Sequence, residues 1–260
     1  MERQRTIYNV DERGVAKLIL NRPEKLNAFD TRMQTEIATT LDEVNTNPDI
    51  KILIITGNGR YFAAGLDVKE AQGRMPEAGG QKLVWPRPAG AGDIRAAQVK
   101  KITIAALNGP AVGMSCDLAL ACDFRIMAES ATLWEAYARL MPPSAGTWFL
   151  PRMIGLQRAM EMLLLGEPIN ARKALEWGLV YSVVSDDQLE AATEELVQKI
   201  LKCSPAIMQF AKSAILGGLN KNLVDAMDYI SWTRYAAENL GISREAARAI
   251  AEKRQPEYPA

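Results

Sequence analysis

Two short segments of this 260-residue chain combine glycine, small side chains and an acid in an order that could hold a developing negative charge. The first is FAAGLD, Phe62 to Asp67, which follows the apolar run KILIIT (Lys51 to Thr56) and the turn GNGR (Gly57 to Arg60). Small residues at Ala63, Ala64 and Gly65 let a ligand approach the main chain and leave N–H groups unobstructed. The same composition also suits an ordinary tight strand-to-helix turn. The second is NGPAVGMSCDLALACD, Asn108 to Asp123. There Gly113 breaks a strand and opens a helix, so the N–H groups of Met114 and its neighbours point outward with the positive end of the helix dipole behind them. Asp117 falls on the first turn of that helix, where it serves either chemistry or charge complementarity with the dipole.

Composition limits what such a site can do. The chain has no histidine, which removes the usual catalytic triad and the commonest general base and leaves carboxylates, Tyr, Lys or Cys for proton transfer. Lys plus Arg and Asp plus Glu are both 31, so no overall field attracts nucleic acid or an acidic membrane, and an anionic ligand must be met by local groups. Cys116, Cys122 and Cys203 show no CxxC spacing, which argues for a reducing compartment and against a zinc site. No apolar run reaches the roughly 18 residues of a membrane helix, and the charged start MERQRTIYNVDERG is unlike a signal peptide. A cytoplasmic protein is the expectation.

The elements that must position the two segments are legible as patterns. Thr6 to Val10 and Val15 to Leu20, joined by Asp11 to Gly14, read as a hairpin. Asp30 is placed to cap a helix running to about Asn45, with Met33, Ile37, Leu41 and Val44 on one face. KILIIT, ITIAAL (Ile102 to Leu107) and FRIMA (Phe124 to Ala128) read as strands buried on both faces, so the core is predicted to be α/β with a mostly parallel sheet. Gly73 to Gly92, rich in glycine and proline around Trp85, reads as a mobile loop. After Ala145 the pattern is helical at Arg158 to Leu165, Ala171 to Trp177, Asp187 to Leu201, Ala206 to Leu216 and Leu223 to Asn239, with a single strand at Val180 to Val184.

The two segments, together with LNRPEKLNAF (Leu20 to Phe29), GLQRAMEMLLLGEPINARKALEWGLVYSVV (Gly155 to Val184) and the terminal EKRQPEY (Glu252 to Tyr258), resemble the crotonase superfamily, the enoyl-CoA hydratase/isomerase family. The resemblance runs along nearly the whole chain. It implies a crotonase-like spiral of ββα repeats, with core and active site in residues 1–200 and a helical oligomerisation region in 201–260. It places the oxyanion hole on the backbone N–H groups of Ala64 and Met114, the latter where the family usually has glycine. Coenzyme A is implied to lie along Lys25, Leu26 and Ala28 and along Ala64, Gly65, Leu66 and Asp67. Read without the resemblance, Lys25 is a solvated surface charge.

Family hydratases carry two glutamates, and here the pattern departs. Asp117 takes the first position. The stretch ATLWEAYARLMPPSAGTW (Ala131 to Trp148) is shorter than its counterpart, so either Tyr137 or Glu135 meets the second, and Ser144 falls where certain relatives place another aspartate. Glu135 is either the second carboxylate or an exposed glutamate. Trp134 and Tyr137, with Met141, Pro142 and Pro143, form either an acyl-pocket wall or core packing. The resemblance thus implies an enoyl-CoA hydratase-like enzyme of fatty acid metabolism with Asp117 and Glu135 as acid/base. The alternatives are an enoyl- or dienoyl-CoA isomerase, another enolate chemistry such as thioester hydrolysis or decarboxylation, and an inactive acyl-CoA-binding protein. It implies no metal and no cofactor beyond the CoA of the substrate, and a homotrimer or dimer of trimers.

Overall fold

The computed structural model describes residues 3–72, 95–137, 144–256 and 258. The loop expected at Gly73 to Gly92, and Met141, Pro142 and Pro143 of the expected acyl wall, lie outside the described residues. Strands β1 (Thr6–Val10) and β2 (Val15–Leu20) form the anticipated antiparallel hairpin, Ile7 opposite Ile19. The parallel strands β3 (Ile52–Gly57), β4 (Ile102–Leu107), β6 (Phe124–Ala128) and β9 (Ser182–Val184) extend it to a six-stranded sheet of order β1-β2-β3-β4-β6-β9. All six side chains of β4 are buried, as an apolar run covered on both faces requires.

Helix α1 (Thr31–Thr46) covers this sheet through Met33, Ile37, Leu41 and Val44. Its start is fixed by Asp30, whose carboxylate accepts the Met33 N–H at 2.8 Å. Buried Glu36 ties α1 to β1 by accepting the Arg5 N–H at 3.0 Å and the Thr6 hydroxyl at 2.8 Å. The remaining helices are α2 (Val68–Gln72), α3 (Met114–Ala121), α4 (Gly146–Ile154), α5 (Leu156–Met160), α6 (Ala171–Glu176), α7 (Leu189–Leu201), α8 (Pro205–Gly218), α9 (Leu223–Asn239) and α10 (Ile242–Ala251). The helical turn expected to reach Leu165 does so, but widens to π spacing over Glu161–Leu165. Among the described residues no helix is long and apolar enough to cross a membrane.

A second, three-stranded sheet has no counterpart in the sequence reading. Its strands β5 (Ala111–Val112), β7 (Thr132–Trp134) and β8 (Ile169–Asn170) hold two or three residues each, too few to show a period. This small sheet matters most for function. It pairs Val112 with Trp134 and so sets the segment after β7 beside the start of α3.

Candidate active site

Both glycine-bearing segments leave the carboxyl ends of adjacent parallel strands, where ligands of α/β sheets generally bind. Two asparagines fix the first segment, and one of them, Asn108, ties it to the second. The Asn27 side chain donates to the carbonyls of Asn58 and Tyr61, both at 2.9 Å, and the Asn108 side chain accepts the Gly57 N–H at 2.9 Å. Ala63 bridges to Ala111, so the first segment runs alongside β5 into α3.

The hydrogen bonds of the first segment correct one expectation. The Ala64 N–H donates to the Leu26 carbonyl at 2.9 Å and is therefore engaged in the fold, not free for a ligand. Ala63 donates to Pro110 at 3.2 Å and Asp67 to Phe29 at 3.0 Å, while Gly65 and Leu66 have no backbone acceptor among the described residues. Gly65 sits at φ +80°, and a Cβ there would lie 2.4 Å from the Val112 carbonyl oxygen, so only glycine fits. This left-handed residue breaks the strand alternation. Phe29 bonds to Gly65 and Asp67 on either side of Leu66, which turns the Leu66 N–H to the opposite edge, toward β5 and α3. The Met114 N–H, first in its helix, likewise has no acceptor among the described residues. The two free amides that face one another across Gly65 thus belong to Leu66 and Met114.

Asp117 is fully buried on the first turn of α3. One carboxylate oxygen accepts the Tyr137 hydroxyl and the other the Gly146 N–H at the start of α4. Burial raises its proton affinity above the ordinary carboxylate value, and donors from Tyr137, Ser144, Gly146 and Ala145 pull it back. Tyr137 is pushed well up, first by burial and then by the charge of Asp117, so it stays protonated and acts as a donor. Its ring lies 3.9 Å from the position a Gly113 Cβ would occupy, next to the Met114 amide. Glu135 is also fully buried, contrary to the solvent-facing alternative. A Cβ on Gly146 would come within 2.8 Å of its Oε1 and 3.3 Å of Asp117 Oδ1, so the absence of a side chain at Gly146 is what lets both carboxyl groups in. Glu135 also reaches the buried Cys116 thiol, which burial and the two acids push up.

The structure therefore brings Asp117, Glu135, Tyr137 and Ser144 together. Trp134 is held apart from them by its indole N–H, which donates to the Gly166 carbonyl at 2.8 Å. Leu26, Ala28 and Leu66 gather around the first segment, with Lys25 exposed beside them. Asp67 is bound by Arg22 at 2.7 Å, which holds its carboxyl below the usual range. A separate groove of about 550 Å³, lined by Arg13, Lys17, Asp186, Glu190 and Glu194, includes none of these residues. No group of His, Cys, Asp and Glu suited to a metal ion occurs among the described residues.

The sequence profile described as Enoyl-CoA hydratase/isomerase matches residues 11–260. The chain belongs to this family. It is similar to 1,2-epoxyphenylacetyl-CoA isomerase of Escherichia coli, with 34% identity over 95% of each chain. The enoyl-CoA isomerase/hydratase fer4 of Mycosarcoma maydis is also 34% identical, over 94% of this chain and 92% of its own. Among solved structures, an enoyl-CoA hydratase from Bacillus anthracis superposes with a TM-score of 0.89 at 32% identity, covering 98% of this chain and 99% of that one. The architecture is accordingly the α/β crotonase fold with a helical C-terminal region.

Proposed function

We propose that this enoyl-CoA hydratase/isomerase family member transforms an enoyl-CoA thioester through an enolate. Its oxygen is held by the Leu66 and Met114 amides, and its proton is carried by Asp117. The observation that carries this reading is the pair of unengaged amides beside a buried carboxylate. As the thioester becomes an enolate its oxygen gains charge, and fixed donors in a dry site stabilise that charge better than reorganising water does.

Of the two reactions in the family's description, the geometry favours double-bond isomerisation over water addition. Isomerisation needs one carboxylate to take a proton from one carbon and return it to another. Addition needs a further base to activate water. Tyr137, protonated and donating to Asp117, supplies no such base, and Glu135 faces Gly146 and Cys116. A relative from Streptococcus mutans, 30% identical, is described as a trans-2-decenoyl-[acyl-carrier-protein] isomerase, while others are described as enoyl-CoA hydratases, so the preference rests on the geometry. Intact donors and an intact acid weigh against an inactive binding protein. Replacing Asp117 with Asn is the test: turnover of 3-enoyl-CoA should fall by about a hundredfold or more while acyl-CoA binding persists, and undiminished turnover would remove Asp117 from the mechanism.

The same reading extends to assembly. Helix α9 leaves Leu223, Val224, Met227, Trp232 and Tyr235 exposed, and a homotrimer or dimer of trimers would cover them. Sedimentation of the full chain as a monomer at micromolar concentration would contradict this.

A further inference from the structure

Glu135 has a place in the structure that proton transfer by Asp117 alone does not explain. Two fully buried carboxyl groups flank one point beside the Gly146 Cα, Glu135 Oε1 at 2.8 Å and Asp117 Oδ1 at 3.3 Å from it. Their oxygens are therefore no more than about 6 Å apart, close enough for the charge of one to oppose ionisation of the other. The groups around Asp117 come from three elements. Cys116 lies next to it on α3, Glu135 and Tyr137 follow β7, and the Ser144 hydroxyl and the Ala145 and Gly146 amides come from the entry to α4. The charge of Arg125 reaches Cys116, but its guanidinium is bound by the carbonyls of Leu179 and Cys122.

The groups that hydrogen-bond Asp117, from Tyr137, Ser144, Ala145 and Gly146, are all donors, and they offset the rise in proton affinity that burial gives it. Donors weaken a carboxylate as a base, and removing a proton from carbon calls for a stronger one. We propose that Glu135 is a positioning residue that sets the proton affinity of Asp117: a second buried carboxyl whose charge keeps Asp117 basic enough to take a proton from the substrate. This assigns the second acid of the site to tuning and not to water activation. It rests on the reading of Asp117 as the proton carrier. A glycine at 146 is the structural condition for it, because any side chain there would separate the two acids.

The pH dependence of kcat/KM for 3-enoyl-CoA isomerisation tests the proposal in the wild-type protein, Glu135→Gln and Glu135→Asp. The acidic limb should move down by about one pH unit in Glu135→Gln, as expected for loss of a nearby like charge, and stay near its wild-type position in Glu135→Asp. Affinity for free CoA should not change. A folded Glu135→Gln enzyme whose acidic limb coincides with wild type overturns the proposal. If that variant does not fold, infrared titration of the wild-type carboxyl groups decides the matter. Coupled acids should ionise in two steps about one pH unit or more apart, and a single step would overturn the assignment. Turnover surviving in Asp117→Asn would overturn the proton-carrier reading instead, so the two failures are distinguishable.

Discussion

The main-chain half of the site and its side-chain half are held by different means. Leu66 and Met114 contribute N–H groups whose direction is set by Gly65, by the ladder to Phe29 and by the start of α3, and their side chains play no part in the donation. Asp117, Glu135 and Tyr137 depend on side-chain identity, on burial and on one another. Backbone donors tolerate sequence change so long as the turn survives, which is how methionine can stand where the resemblance leads one to expect glycine. Side-chain acids do not, since the proton they move depends on the side chain itself. One half fixes what charge is stabilised, and the other decides which proton moves.

Three substitutions would break or sharpen that division. The largest effect is expected from Asp117→Asn, which should lower kcat by about a hundredfold to ten-thousandfold, the range of general acid–base catalysis. Isothermal titration should show acyl-CoA binding preserved. Next is Leu66→Pro, which removes an N–H that the described fold does not use. Loss of one oxyanion donor costs about 3 kcal/mol, or a hundredfold in kcat. Circular dichroism should show native helix content, whereas an unchanged rate would return the donor role to another amide. The smallest effect is expected from Tyr137→Phe. Its hydroxyl donates to the Asp117 carboxylate and lowers that group's proton affinity, so its loss raises the affinity and should move the acidic limb of kcat/KM to higher pH. The direction is opposite to that expected for Glu135→Gln, and a shift of both variants in one direction would show that the limb does not report Asp117.

Much of this was legible in the sequence, for reasons particular to each element. The hairpin, α1 with its Asp30 cap and the buried runs at β3, β4 and β6 follow from apolar period and turn chemistry, because those segments are long enough to show a period. The strands β5, β7 and β8 are not, and with them went the contact that sets Tyr137 beside Asp117. Helix α4 starts where the pattern turns helical after Ala145, but its bounds do not show, with Pro151 inside it. The resemblance placed the donor at Ala64, whose N–H the fold engages with the Leu26 carbonyl, and alternation along a strand would leave Ala64 and Leu66 on one edge. The left-handed Gly65 reverses that parity, a flip that residue type permits but does not announce. The ambiguity between Glu135 and Tyr137 dissolves in three dimensions, since both reach the site, one against Gly146 and the other against Asp117.

Isomerisation through an enolate by a single proton carrier is tested most directly by turnover of 3-enoyl-CoA in heavy water, with products read by mass spectrometry. The account predicts a 2-enoyl-CoA product that has not gained the mass of a water molecule and that carries deuterium only to the extent that Asp117 exchanges with solvent before it returns the proton, with both product and exchange falling by about a hundredfold or more in Asp117→Asn. A hydrated product as the main species, or exchange that persists undiminished in Asp117→Asn, would contradict it.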